Sequence, residues 1–113
     1  MHYHKPEMIE ELIDFNDTSV NSRILAKNND NMAILLAIKE NQLLPEHVSS
    51  VDAFVFVVDG EVEFEIEEKT ESLTEPIKMT KYTVKKGEIF FFKKNEKHTV
   101  LGKKDTMILV IRI

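Results

Sequence analysis

The sequence predicts an all-β protein, a small antiparallel jelly-roll β-barrel, and three observations support that fold class. Short segments rich in β-branched and aromatic residues recur at close spacing, turn-forming residues separate them, and helical spacing is rare. The 113 residues suit one domain with one core. Closure of about eight such strands into a barrel would remove the free sheet edges that could pair with other chains.

Residues 1–14 are predicted to be a lead-in, and residues 15–113 the barrel domain. Four apolar residues of the lead-in stand at helical spacing, namely Met8, Ile9, Leu12 and Ile13. Because they follow Pro6, we expect one or two helical turns or an irregular segment there.

The first two strands are expected over residues 19–27 and 32–38. The Asn and Asp residues between them tolerate left-handed backbone, so residues 27–31 are predicted to turn. The second segment is almost continuously apolar, which predicts that both of its faces are covered.

The strongest predicted strand is residues 51–58, built largely from Val and Phe. Asp59 and Gly60 follow it and predict a hairpin turn, since a two-residue turn of this type requires positive φ. Residues 61–67 then alternate glutamate with Val, Phe and Ile, which indicates one core face and one solvent face.

The remaining sequence predicts a loop and four short strands. Residues 68–76 are polar and include a proline, as is typical of an extended, flexible loop. The strands are expected over residues 82–84, 89–92, 98–101 and 107–113. Most phenylalanines at strand spacing are expected in the core, with part of the Phe90-Phe91-Phe92 run reaching a dimer interface because consecutive residues face opposite sides.

Composition narrows the classes of function and partner. The net charge is −5 with basic and acidic residues interleaved, so we expect no nucleic-acid partner. No apolar run is long enough to cross a bilayer and no secretory signal is evident, so we expect no membrane partner and a cytoplasmic location. The absence of cysteine leaves histidines and carboxylates as the candidate metal ligands.

Two segments combine glycines and histidines at distinctive spacing, one near residues 41–60 and one near residues 87–102. Each keeps a glycine and one histidine, which are Gly60 with His47 and Gly87 with His98. Together the two segments resemble the paired signature motifs of the cupin superfamily, whose fold would then extend over residues 15–113.

The first cupin motif has a glycine, a His-x-His pair, a glutamate and a closing glycine. In this sequence Asn41 stands at the opening glycine and His47 at the first histidine. Ser49, Ala53 and Gly60 stand at the second histidine, the glutamate and the closing glycine. The resemblance therefore implies that two of the three metal ligands of this motif have been replaced.

The second cupin motif has a glycine, a proline, another glycine, a histidine and a late asparagine. Gly87 and His98 match it, whereas Lys93, Asn95 and Gly102 stand at the proline, second glycine and asparagine positions. The metal-ligand histidine of this motif is thus retained.

The segments from Pro45 to His47 and from Asp52 to Glu61 also resemble a group of small single-domain bacterial cupins of the conserved-barrel (cupin 2) type. Members commonly have a Pro-Glu-His segment, then Asp-Ala, then a Gly-Glu turn. This second resemblance implies that Ala53 is a feature of that subgroup.

The sequence thus leaves two hypotheses of function. In the first, His47, Ser49 and His98 line a cavity that binds a small polar or anionic molecule, without a strong metal site. In the alternative, His47 and His98 hold a divalent ion such as Zn, Mn, Ni or Fe in an enzyme of the dioxygenase or isomerase type, as the cupin resemblance would imply. Each histidine could also be a satisfied core residue. His2 and His4 are expected to be solvated, and a homodimer is predicted.

Overall fold

The computed structural model describes residues 4–68 and 78–113, which form two antiparallel sheets. Within the described part of the lead-in, a 3-10 turn, Ile9–Glu11, precedes the strands. The strands in chain order are β1 (Asn21–Asn28), β2 (Asn31–Ile38), β3 (Leu43–His47), β4 (Ala53–Asp59), β5 (Glu61–Glu68), β6 (Lys78–Lys85), β7 (Ile89–Phe92), β8 (His98–Gly102) and β9 (Thr106–Arg112). No helix in the described ranges is long and apolar enough to span a membrane.

A five-stranded sheet in the order β1-β2-β9-β4-β7 packs on a four-stranded sheet in the order β3-β8-β5-β6. Their inner faces form one core, whose largest fully buried member is Phe64. This arrangement confirms the predicted all-β jelly-roll fold. The alternation predicted for β5 is also confirmed, since Val62, Phe64 and Ile66 are buried between half-buried glutamates.

The sequence prediction missed β3, the edge strand of the four-stranded sheet. Pro45 has no N–H to donate, which is tolerated at a sheet edge and masks the strand in the sequence pattern. The pairing of β3 with β8 shifts register between Leu44 and His47, so that His47 lies directly opposite His98.

The predicted hairpin at Asp59 and Gly60 is wrong, because β4 and β5 lie in different sheets. Gly60 does have the expected positive φ of 95°, but it forms a corner that carries the chain from one sheet to the other. A Cβ there would meet the Thr106 hydroxyl and the Asp105 carbonyl oxygen. The glycine is therefore needed both for its backbone conformation and for close packing.

The lead-in covers the outer face of the five-stranded sheet. Ile13 packs with Leu35, Ala37 and Met107, and the Arg23 guanidinium donates to the Leu12 carbonyl over 2.6 Å. This contact explains why residues 35–38 of β2 are all buried. It confirms that both faces of the strand are covered over that stretch.

Two predicted features fall partly or wholly outside the described residues. The predicted flexible loop lies outside them from residue 69 onward, since Glu68 ends β5. His2 also lies outside them, and His4 is exposed.

The phenylalanines divide between the two faces of β4 and β7. Phe92 is buried and Phe90 stacks on Phe64, with 5.1 Å between the ring centroids. Phe56 is 38% exposed, so the core assignment is wrong for this side chain. Phe91 is 68% exposed, as expected for part of the run that it shares with Phe90 and Phe92.

Candidate functional site

A cavity of about 350 Å³ lies between the two sheets and opens beside His47. Its wall is mainly apolar and draws on both sheets, including Leu36, Val55, Phe64 and Ile108. No acidic side chain among the described residues contributes to it. The polar side chains in its wall are Ser22, His47, Ser49, His98 and Arg112.

The two histidines form the centre of the polar part of this wall. His47 ends β3 and His98 begins β8, and the two residues are register partners across the pair of strands. Their ring centroids are 3.9 Å apart, with an interplanar angle of 63°. The structure therefore brings together the two residues that the motifs single out.

Each imidazole is held through its Nδ1 atom by a backbone carbonyl. His47 Nδ1 lies 2.9 Å from the Pro45 oxygen, and His98 Nδ1 lies 3.1 Å from the Glu96 oxygen. A carbonyl can only accept, so each Nδ1 must carry the hydrogen. In the neutral ring this leaves the Nε2 atom with a lone pair, able to accept a hydrogen bond.

Burial keeps His98 neutral. Its side chain is 2% exposed, and this desolvation lowers its pKa, an effect that the Glu96 carbonyl opposes and the nearby His47 reinforces. The Phe92 ring packs against it with 4.4 Å between centroids. His98 is therefore in the acceptor form at neutral pH.

Ser49 lies in the cavity wall, but its hydroxyl is already engaged. The Oγ atom donates to the Val51 carbonyl over 2.7 Å and lies 3.3 Å from the Val51 amide. Its own carbonyl accepts from the Asn95 amide over 2.8 Å. Ser49 therefore holds the two loops at the cavity mouth together, with its donor capacity used locally.

Arg112 is the site residue that the sequence analysis missed. On β9 it follows Ile108 and Val110 on the inward face, and this alternation was the signal that could have placed it in the cavity. Its Nε atom is buried without a hydrogen-bond partner, and its Nη2 atom reaches only the Ser50 hydroxyl, at 3.4 Å. No ion pair joins it to a carboxylate of the described residues.

The donor set does not fit a metal centre with three protein ligands. Within residues 4–68 and 78–113, no group of three His, Cys, Asp or Glu side chains is placed to hold an ion. Ala53 has no donor, and Asp52 does not line the cavity because its Oδ1 atom accepts from the Lys94 amide over 2.9 Å. His47 and His98 are two ligands without a third.

The backbone requirements of the two motifs are nevertheless preserved. Asn41 and Asn95, which replace motif glycines, have φ values of 70° and 66°. Asparagine is among the few residues that tolerate this left-handed region. Gly60 and Gly87 also have positive φ. The two asparagines thus retain the left-handed backbone of the glycines they replace, and the turn at Asn95 lies at the cavity mouth, where the Asn95 backbone amide donates to the Ser49 carbonyl.

Comparisons with known proteins identify the family and the fold. The sequence model of the Cupin domain family matches residues 34–112. A comparison with curated protein sequences gave no match.

Solved structures with the same fold include three from bacteria. A cupin superfamily protein from Desulfitobacterium hafniense is 16% identical with a TM-score of 0.81, covering 100% of this chain and 94% of that one. A conserved protein of unknown function from Streptococcus pyogenes is 18% identical with a TM-score of 0.79, and the match covers 99% of this chain and 90% of that one. An RmlC-like cupin from Desulfovibrio desulfuricans is 18% identical with a TM-score of 0.72, and the match covers 95% of this chain and 93% of that one. These likenesses show the fold.

Proposed function

The chain belongs to the cupin domain family, and from that premise we propose that it binds a small organic molecule between its sheets through His47 and His98. The observation that carries the proposal is the fixed orientation of the two imidazoles. Both Nδ1 atoms are committed to carbonyls, so both rings offer Nε2 as an acceptor at the cavity.

The rest of the cavity supports a ligand with an apolar body. Its wall includes Leu36, Val55 and Phe64, and burial of apolar surface contributes roughly 25 cal/mol per Å². Two acceptors side by side favour a ligand that carries a hydroxyl or N–H donor. A few placed polar groups in a mainly apolar cavity are typical of small-molecule sites.

The alternative function, a metal-dependent enzyme of the dioxygenase or isomerase type, is less well supported. Imidazoles oriented through Nδ1 also suit metal coordination. However, the described residues place no third ligand beside His47 and His98.

The proposal can be tested by calorimetric titration of a panel of small hydroxy compounds in the presence of a chelator. We expect binding that weakens roughly 10-fold in His47→Leu and in His98→Leu, because each variant loses one hydrogen bond to the ligand. Thr99→Val serves as the matched control, since Thr99 neighbours His98 but is absent from the cavity wall. Circular dichroism verifies that each variant is folded.

Two outcomes would contradict the proposal. One is binding that survives both histidine substitutions unchanged. The other is binding that appears only when a divalent metal is supplied, which would favour the alternative function.

A further inference from the structure

We infer that the ligand is an organic anion whose carboxylate group binds the Arg112 guanidinium; this inference rests on the function proposed above and names its ligand class. Arg112 is the charged side chain in a cavity wall that has no acidic member among the described residues. The guanidinium therefore gives the cavity a positive character.

The hydrogen-bonding state of Arg112 supports the inference. Its Nε atom is buried and unpartnered, and its Nη2 contact with Ser50 is long at 3.4 Å. A buried N–H donor without an acceptor is unfavourable, and an anion would satisfy the Nε donor. The planar fork of arginine matches the two oxygens of a carboxylate, which makes this group the best-fitting partner.

Two carboxylates on the segments around the mouth, those of Asp52 and Glu96, are engaged by backbone amides. Asp52 accepts from the Lys94 amide over 2.9 Å, and Glu96 accepts from the Lys93 amide over 2.7 Å. Both acids therefore hold the turn at residues 93–96. The guanidinium faces the cavity without a protein counter-ion in the described chain.

The register of the five-stranded sheet limits the size of the ligand. Ala53 pairs with Arg112 on one side and with Phe92 on the other. Adjacent strands lie about 4.8 Å apart, so the backbones of Arg112 and Phe92 are separated by roughly 10 Å. Because the Phe92 ring contacts His98, a molecule of several heavy atoms can extend from the guanidinium to the imidazoles. The ligand class is a small monocarboxylate with an apolar body and a hydroxyl group.

Matched pairs of acids and amides provide the test. Suitable probes are lactate with lactamide, mandelate with mandelamide, and para-hydroxybenzoate with para-hydroxybenzamide, each titrated by calorimetry at neutral pH. We expect carboxylates to bind the wild-type protein roughly 10- to 100-fold more tightly than the matched amides, as a charge-assisted bidentate contact implies.

Three variants test whether Arg112 causes the preference for carboxylates. In Arg112→Gln the preference for carboxylates should disappear, whereas Arg112→Lys should retain part of it because the charge remains. Lys103→Gln removes the same charge from an exposed site outside the cavity and should leave the preference intact. Thermal unfolding verifies that each variant is folded.

The other outcomes separate the two proposals. Equal affinity for acids and amides, with sensitivity to the histidine substitutions, would overturn the carboxylate inference and leave the proposed function standing. A carboxylate preference that persists in Arg112→Gln would overturn the role of Arg112. Absence of binding for every probe at millimolar concentration would overturn the proposed function and this inference together.

Discussion

Polar side chains occur at both ends of the space between the sheets, and they differ in how fully they are hydrogen-bonded. At the corner end, defined by Gly60, Glu61 and Thr106, the Thr106 hydroxyl is 0% exposed and fully engaged. It accepts from the Glu61 amide over 2.9 Å and lies 2.9 Å and 2.8 Å from the Glu61 and Lys104 carbonyls. The Thr106 hydroxyl therefore has no unused donor to offer a ligand.

At the mouth, defined by His47, Ser49, His98 and Arg112, the polar groups are only partly used. The histidines are anchored by Nδ1 alone, and the Arg112 Nε atom has no partner. A buried polar group that is fully bonded specifies structure, whereas one with unused capacity is suited to binding. The difference between the two ends can be tested by substitutions at each.

The largest effect is expected at the corner. Gly60→Ala should lower the free energy of unfolding by about 2–6 kcal/mol, because positive φ and overpacking against Thr106 each cost about 1–3 kcal/mol. Gly87→Ala is the matched control: its φ is also positive, at 84°, but nothing lies within 4 Å of an added Cβ. Denaturant titration of both variants measures the difference. Equal destabilisation would show that packing at the corner is unimportant.

The second effect concerns the bonded hydroxyl at the corner. Thr106→Val keeps the shape of the side chain but leaves the Glu61 amide without its acceptor, so we expect a loss of about 1–3 kcal/mol. Urea unfolding measures this loss, and ligand affinity should not change. A variant as stable as the wild type would contradict the structural role assigned to Thr106.

A substitution of Arg112 at the mouth should not lower the free energy of unfolding, in contrast to Thr106→Val. Arg112→Met removes a buried donor that lacks a partner while keeping a long apolar stem, so we expect a gain of between zero and about 1 kcal/mol in the free energy of unfolding. The same urea experiment measures it. Destabilisation comparable to that of Thr106→Val would indicate that Arg112 is structural.

The free energy of unfolding should depend on pH because of His98 at the mouth. Burial lowers the pKa of His98 in the folded state, so the unfolded chain takes up a proton more readily. The contribution of neutral His98 to stability is therefore complete above about pH 6.5, the ordinary pKa of histidine, and is lost as the pH falls from there through the lowered pKa. Wild-type stability should fall more than that of His98→Leu in this window, as urea unfolding at a series of pH values would show. Parallel curves would contradict the assignment.

The smallest effect on stability is expected on the outer face of β4 and β7, where the homodimer predicted from the sequence would form. Phe91 is 68% exposed and Ile89 is 51% exposed on the edge strand of the five-stranded sheet, and Phe54 and Phe56 lie opposite them. Phe91→Lys should shift a dimer to monomer in light scattering with less than about 0.5 kcal/mol change in monomer stability. A wild-type protein that is monomeric in light scattering would contradict the predicted homodimer.

Much of the fold could be predicted from the sequence because local patterns specify it. The alternation of Val62, Phe64 and Ile66 identified a core face, and both faces of β2 were correctly expected to be covered over residues 35–38. The error at Gly60 has a different origin. Positive φ can be inferred locally, but whether the flanking strands pair depends on β8 and β9, far along the chain.

The site was only partly predictable for a similar reason. His47 and His98 could be found from motif positions, whereas the orientation of their rings depends on the carbonyls of Pro45 and Glu96, which a sequence pattern does not specify. Arg112 has no motif to mark it. Its inward position follows from strand alternation, but its unpartnered Nε atom is visible only when both sheets are in place.

The protonation state of the imidazoles is the most direct test of unused binding capacity at the mouth. It can be measured by long-range proton–nitrogen correlation spectra of isotope-labelled protein at neutral pH. We predict that His47 and His98 are both protonated on Nδ1 with Nε2 free, and that para-hydroxybenzoate shifts the Nε2 resonances. Protonation on Nε2, or Nε2 resonances that do not respond to any of the acid probes, would contradict the account.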